Sequence, residues 1–222
     1  NEAAVRPSRV VFVVDGSQGM AGVMPAVAQA LEGLPAGLEG RVVVASTEPV
    51  ELAELPGTPA IRARLADWRV AGGEDNVPAL IRAWDLAAGK PGAVVVWVHA
   101  AVPMLIESVE GLRQRWERQP GGPRLLDLPV RPGPNRVIEA LDGLTMVEAV
   151  PVTGEVEADL RALLRSWSEG GERLGWRRER VTGTAEPAEG GGVAKATLHL
   201  ARLWARDEIA RLAASRQREK AI

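Results

Sequence analysis

The 222-residue chain contains no cysteine. That excludes a disulfide framework, a thiol nucleophile and any thiolate-ligated zinc site, and it says nothing about redox compartment. Histidine is scarce: His99 and His199 stand a hundred residues apart, so no motif built on paired histidines is available. Lysine is confined to Lys90, Lys195 and Lys220, the other cations being arginine. With 27 basic against 29 acidic residues the net charge is −2, which gives no electrostatic footprint for nucleic acid. Long apolar runs are missing as well. The longest, Ala93 to Val98, is far too short to cross a bilayer. No signal-peptide pattern opens the sequence. It begins at Asn1 and not at methionine, which reads as a piece of a longer protein whose targeting segments would lie outside it.

What is present has the rhythm of an α/β protein. Arg9 to Asp15 is a continuous β-branched run, as expected of a strand buried on both faces in a parallel sheet. It ends at Asp15-Gly16-Ser17-Gln18-Gly19, and an apolar helical stripe follows at Val23, Val27, Leu31 and Leu34. Arg41 to Ser46 reads as a second buried strand, so the first unit is a right-handed βαβ. Ala66 to Val70 is a short strand candidate near an edge. Gly72 to Pro78 opens a helix capped by Asp75 or Asn76, with Val77, Leu80, Ile81 and Trp84 inward, ending at Gly89.

Ala93 to Val98 gives the third buried strand. Pro103 to Arg118 reads as a helix with Ile106, Val109, Leu112 and Trp116 inward. Arg124 to Val130 and Met146 to Val152 are further strands around a short helix at Val137, Ile138 and Leu141, and Val156, Leu160, Leu163, Leu164 and Trp167 mark another amphipathic helix. After Gly170-Gly171 the texture changes: Leu174 to Val181 alternates like an exposed strand, 182–192 is turn-rich, and Ala196 to Arg218 reads as a long helix. The expected fold is therefore a doubly wound, mostly parallel sheet flanked by helices over residues 7–168, with a strand-and-helix extension over 169–222. A chain of this size buries roughly 70% of its unfolded surface, so such a core needs no metal or disulfide.

Open parallel sheets bind ligands outside the carboxyl ends of their strands. The loops beginning at Asp15, Gly72 and His99 should meet there. An aspartate and a serine two residues apart on a glycine turn can both face one hard cation, and Glu74 or Asp75 could add a second carboxylate. The same residues have plainer uses. Asp15 can cap the following helix, Ser17 suits a turn, and Glu74, Asp75 and Asn76 sit where acidic and Asx residues favour a helix N-terminus. His99 suits a partly buried, hydrogen-bonded histidine, and the tryptophans mostly fall on helical apolar faces, where core packing is the default.

The apolar strand, Asp15-Gly16-Ser17 and Gly72-Gly73 leading into Val77-Pro78-Ala79-Leu80 resemble a von Willebrand factor type A domain. Leu200-Ala201-Arg202-Leu203-Trp204-Ala205-Arg206 is similar to the helix that follows such domains in bacterial membrane proteins that also carry a VIT domain, including those with MSEP-CTERM sorting tails. The family's metal-ion-dependent adhesion site uses Asp-x-Ser-x-Ser, a threonine after a Gly-Gly pair, and an aspartate after the fourth strand. Here the second serine is Gly19, the threonine position is Glu74 and the aspartate position is Ala100.

The resemblance thus implies a degenerate site, with no cofactor or a weakly bound Mg or Ca ion on Asp15, Ser17 and Glu74. It implies partner contacts from Gln18, Asp75, Asn76 and His99. The function to expect is a non-enzymatic interaction module of a cell-envelope protein, whose partner is another protein or a neighbouring VIT domain; Trp204 with Leu200 and Leu203 would be a docking stripe for that neighbour. Rival readings are a competent magnesium-dependent adhesion domain and a hydrolase using Asp15, Ser17 and His99. Against the latter stands the missing Gly-x-Ser-x-Gly elbow. A nucleotide binder is disfavoured because the first loop has neither Gly-x-Gly-x-x-Gly nor a P-loop lysine.

Overall fold

Six strands form one sheet in the order β4-β3-β2-β5-β6-β7. They are β2 (Arg9–Asp15), β3 (Glu39–Ala45), β4 (Val50–Leu52), β5 (Val94–His99), β6 (Arg124–Pro129) and β7 (Val147–Ala149); a separate two-residue strand, β1 (Glu2–Ala3), pairs antiparallel with β8 (Glu172–Arg173). The helices are α1 (Met24–Ala30), α2 (Pro59–Ala66), α3 (Val77–Ala87), α4 (Glu110–Arg118), α5 (Arg136–Ala140) and α6 (Val156–Ser166). The computed structural model describes residues 2–3, 5–52, 58–73, 75–168 and 172–173. Residues 1–177 form one compact unit and 178–222 a second. The strand expected at 174–181 and the long helix expected at 196–218 lie outside the described residues.

All neighbours in the large sheet run parallel except the edge strand β4, which is antiparallel to β3. The β-branched runs produce this directly. Val10, Phe12 and Val14 of β2 and Val94, Val96 and Val98 of β5 enter one core, with residues of α1, α2 and α6. Val11, Val13, Val95 and Trp97 enter the other, with residues of α3, α4 and α5. Period-2 side-chain alternation with apolar residues at every position is what two covered faces require. The doubly wound, mostly parallel sheet expected from the sequence is the observed fold.

Three expectations need correction. Ala66 to Val70 is no strand: Ala66 closes α2, which Thr58 caps by accepting Ile61 N–H at 3.4 Å, with Pro59 in the first turn. Threonine then proline is a helix-start signal, and it prevailed over the short apolar run. The antiparallel strand β4 was not foreseen. The third correction matters for function. Helix α4 begins at Glu110, not Pro103, and Ile106 is 68% exposed instead of inward. Val102 is held in an extended bridge to Asn135, and the amides of Glu107 and Glu110 donate to Asp75 and to Ser108 Oγ, so the helix cannot start earlier.

Candidate functional site at the carboxyl rim

The order of the sheet reverses between β2 and β5. The chain leaves β2 toward β3 and returns on the other side at β5, and the crevice beyond such a switch point is where open α/β sheets place ligands. The loops after these two strands meet there. Asp15, 1% exposed at the end of β2, accepts Ser17 N–H on Oδ1 at 2.9 Å. Its Oδ2 accepts Ser17 Oγ–H at 2.9 Å and Ala100 N–H at 3.2 Å. A buried carboxylate costs free energy unless it is hydrogen-bonded, and these three donors engage both of its oxygens.

The 72 loop joins the same rim. Gln18 N–H donates to Gly72 O at 2.9 Å, Ala71 N–H donates to Gly16 O at 3.2 Å, and Ser17 and Ala71 form a parallel bridge. Gly16 is required by contact: a Cβ there would stand 2.3 Å from the Ala45 carbonyl oxygen, which accepts Gly16 N–H at 2.9 Å. Further round, Val102 N–H donates to Pro134 O and Arg136 N–H to Val102 O, both at 2.9 Å. A Cβ on Gly133 would lie 2.4 Å from Ala101 Cβ, so this loop also sits directly on the one after β5. The three loops expected to converge do converge.

Beneath the rim runs a chain of buried and half-buried polar groups. Asn76 Oδ1 accepts Trp97 Nε1–H at 3.1 Å, and the Trp97 ring stacks on His99 with centroids 3.9 Å apart. His99 Nδ1 donates to the Ala100 carbonyl at 2.6 Å, and its Nε2 lies 2.7 Å from Asp127 Oδ1. Asn135 Nδ2 stands 3.4 Å from the same Nε2, while its Oδ1 caps α5 by accepting Ile138 N–H at 3.1 Å. The chain of contacts thus links the start of α3, β5, β6 and the start of α5.

This placement sorts the candidate residues. Asp15 and Ser17 are together, and Glu74 lies outside the described residues. Gln18 is exposed and Asp75 half-buried, where its Oδ1 accepts Val77 N–H at 2.9 Å and Oδ2 accepts Glu107 N–H at 2.6 Å. Asn76 and His99, 1% and 2% exposed, are corrected from partner-facing residues to supports that shape the rim from below. Ser17 Oγ is committed to Asp15 and both ring nitrogens of His99 face oxygen acceptors, so the hydrolase set is not assembled. Asp127 and Asn135 were missed by sequence reasoning. The signal for Asp127 was a carboxylate inside the apolar run of β6, a residue type almost never buried without a partner.

A divalent ion takes about six oxygens. Among the described residues no group of three or more acidic or histidine side chains could hold one. Both oxygens of Asp15 already accept hydrogen bonds, Gly19 brings no side chain, and Ala100 presents a methyl group where the resemblance would place a carboxylate. The described donors therefore do not fit the cation that the resemblance implies.

No family model matches the sequence, and no curated protein matches it. Solved structures match in fold. A von Willebrand factor type A protein from Catenulispora acidiphila superposes with a TM-score of 0.53 at 16% identity, over 72% of this chain and 43% of that one. The ArnB paralog VWA2 from Sulfolobus acidocaldarius gives 0.51 at 10% identity, over 72% and 46%. Proximal thread matrix protein 1 from the mussel byssus, with a zinc-occupied metal-ion-dependent adhesion motif, gives 0.51 at 12% identity, over 75% and 49%. The fold is that of von Willebrand A domains, and the chain spans less than half the length of each of these three solved chains.

Proposed function

We propose that this chain is a non-enzymatic protein-interaction module of the adhesion type, acting through the loops at the carboxyl rim of its sheet. Residues 7–168 form the module and 169–222 an appendage. One observation carries the reading. Five large hydrophobic side chains are exposed among the described residues, and three are consecutive on this rim: Met104 at 69%, Leu105 at 39% and Ile106 at 68%. Clustered exposed apolar side chains mark interaction sites where isolated ones do not.

The segment is also held in place. Val102 on one side is bonded to the 134–136 backbone, and Glu107 on the other is bonded to Asp75. Apolar anchors on a preorganised loop lose little entropy on binding, which favours them as hot spots. Asp75 adjoins the segment through Glu107, and the exposed Gln18 on the loop after β2 is a further contact of the same rim. The partner is another protein or a VIT domain neighbouring this one in the same parent, and the sequence resemblance to VIT-associated proteins supports a cell-envelope setting. No helix of the described residues is long and apolar enough to cross a membrane.

The test is site-specific photo-crosslinking in the cells that make the protein, from position 104 at the rim and from position 90 beyond α3. A discrete adduct from 104 alone supports the reading. Equal adducts from both positions, or none from either, would refute it.

A further inference from the structure

We infer that this rim is closed without a divalent cation: the Asp15 carboxylate itself ties the loop after β2 to the loop after β5, and Gly19 and Ala100 form a size-matched pair that fills the space metal ligands would need. The inference deepens the rim-interaction reading by making that contact cation-independent, and it rests on that reading for this consequence alone.

Two independent observations carry it. The first is the tie. Asp15 Oδ2 accepts an amide 85 residues away in sequence, while the same carboxylate accepts both the amide and the hydroxyl of Ser17. A cation entering here would compete with these donors for the carboxylate's lone pairs, and any donor it displaced would be left buried without a partner.

The second is the packing. A Cβ built on Gly19 would stand 2.5 Å from Ala100 Cβ, closer than such atoms approach, whereas the next neighbours, Ser17 Oγ at 3.4 Å and Ala100 Cα at 4.0 Å, are at ordinary contact. Ala100 is 4% exposed, so its methyl group has little open space to yield into, while Gly19 is half-buried. Any side chain at position 19, serine included, meets the methyl group of Ala100. Removing that methyl is what would make room, so the two positions must behave as a coupled pair.

The experiment is thermal unfolding of the 222-residue chain with millimolar MgCl2, MnCl2 or EDTA, for wild type, Asp15→Ala, Gly19→Ala, Ala100→Gly and the double variant Gly19→Ala/Ala100→Gly. The wild-type Tm is expected to agree within about 1 °C across all three solutions, where an ion present at a hundred times its Kd would raise it by about 5 °C or more. Gly19→Ala is expected to lower Tm by about 5 °C or more, and adding Ala100→Gly to restore most of that loss. Should Gly19→Ala yield no folded protein, the double variant decides: folding supports the pair and failure to fold refutes it. A cation-dependent rise in Tm that Asp15→Ala abolishes would overturn the inference, as would strictly additive losses in the double variant. No arm uses a partner, so a failure here leaves the crosslinking result standing, and a failed crosslink leaves the latch standing.

Discussion

Two stretches of one rim follow opposite rules. In residues 15–19 and 99–100 the polar groups of Asp15, Ser17 and His99 are paired inside the molecule, and these three residues are at most 8% exposed. A few residues on, 103–106 turn their large apolar side chains outward. The closed stretch has spent its bonding capacity on holding the loops together. The open stretch leaves its apolar side chains uncovered. The position of a site in a fold therefore does not tell which of its residues meet a ligand; that depends on which groups the protein has left uncommitted.

The comparison can be broken from the closed side first. Gly16→Ala should cost about 3 kcal/mol or more, because the new methyl meets a backbone carbonyl at 2.3 Å and not a flexible side chain. Denaturant unfolding measures this, and a near-neutral result would mean that the β2 and β3 ends are not locked. Asp15→Asn keeps one acceptor but turns an amide group toward the donors that Oδ2 now accepts, so roughly 2 kcal/mol should be lost. Hydrogen exchange at Ala100 N–H should then accelerate along with the fall in stability.

How far the sequence led depends on which kind of force set each element. The five parallel strands and α3 were readable because β-branched runs and helical apolar spacing are local consequences of burial on two faces or one. So was the meeting of the Asp15, Gly72 and His99 loops, which follows from parallel order and the right-handed crossover. What stayed hidden was set by pairing across the sequence. The apolar spacing of Ile106, Val109 and Leu112 obeys a helical rule, but Asn135 bridges Val102 and Asp75 holds the amide of Glu107 from distances that no window of sequence spans. The burial of Asn76 was hidden for the same reason, since Trp97 is its partner, and so was the identity of the partner of His99, Asp127.

From the open side, replacing Met104 and Ile106 by serine should change stability by no more than about 0.5 kcal/mol, since exposed side chains contribute little to the core. The same double change should abolish the crosslink formed from a photo-crosslinking residue placed between them at position 105. A large loss of stability would show that the segment packs in the folded chain and is not held ready for a partner.

The smallest effect lies at the opposite end of the strands and serves as a control. The Arg9 guanidinium bonded to Glu39 holds that carboxyl below its ordinary value. Its contribution is therefore present above the unfolded carboxylate range and is lost as pH falls through the depressed folded value. Glu39→Gln should slightly flatten the acid limb of the stability curve and leave the rim crosslink unchanged. A changed crosslink would mean that the two ends of the strands are coupled.

The most direct measurement of the whole account is photo-crosslinking from position 106 in the intact protein, repeated in EDTA and in millimolar magnesium. The account predicts one discrete protein adduct with the same yield in both solutions. An adduct that forms only with magnesium, or no adduct in either solution, would contradict it.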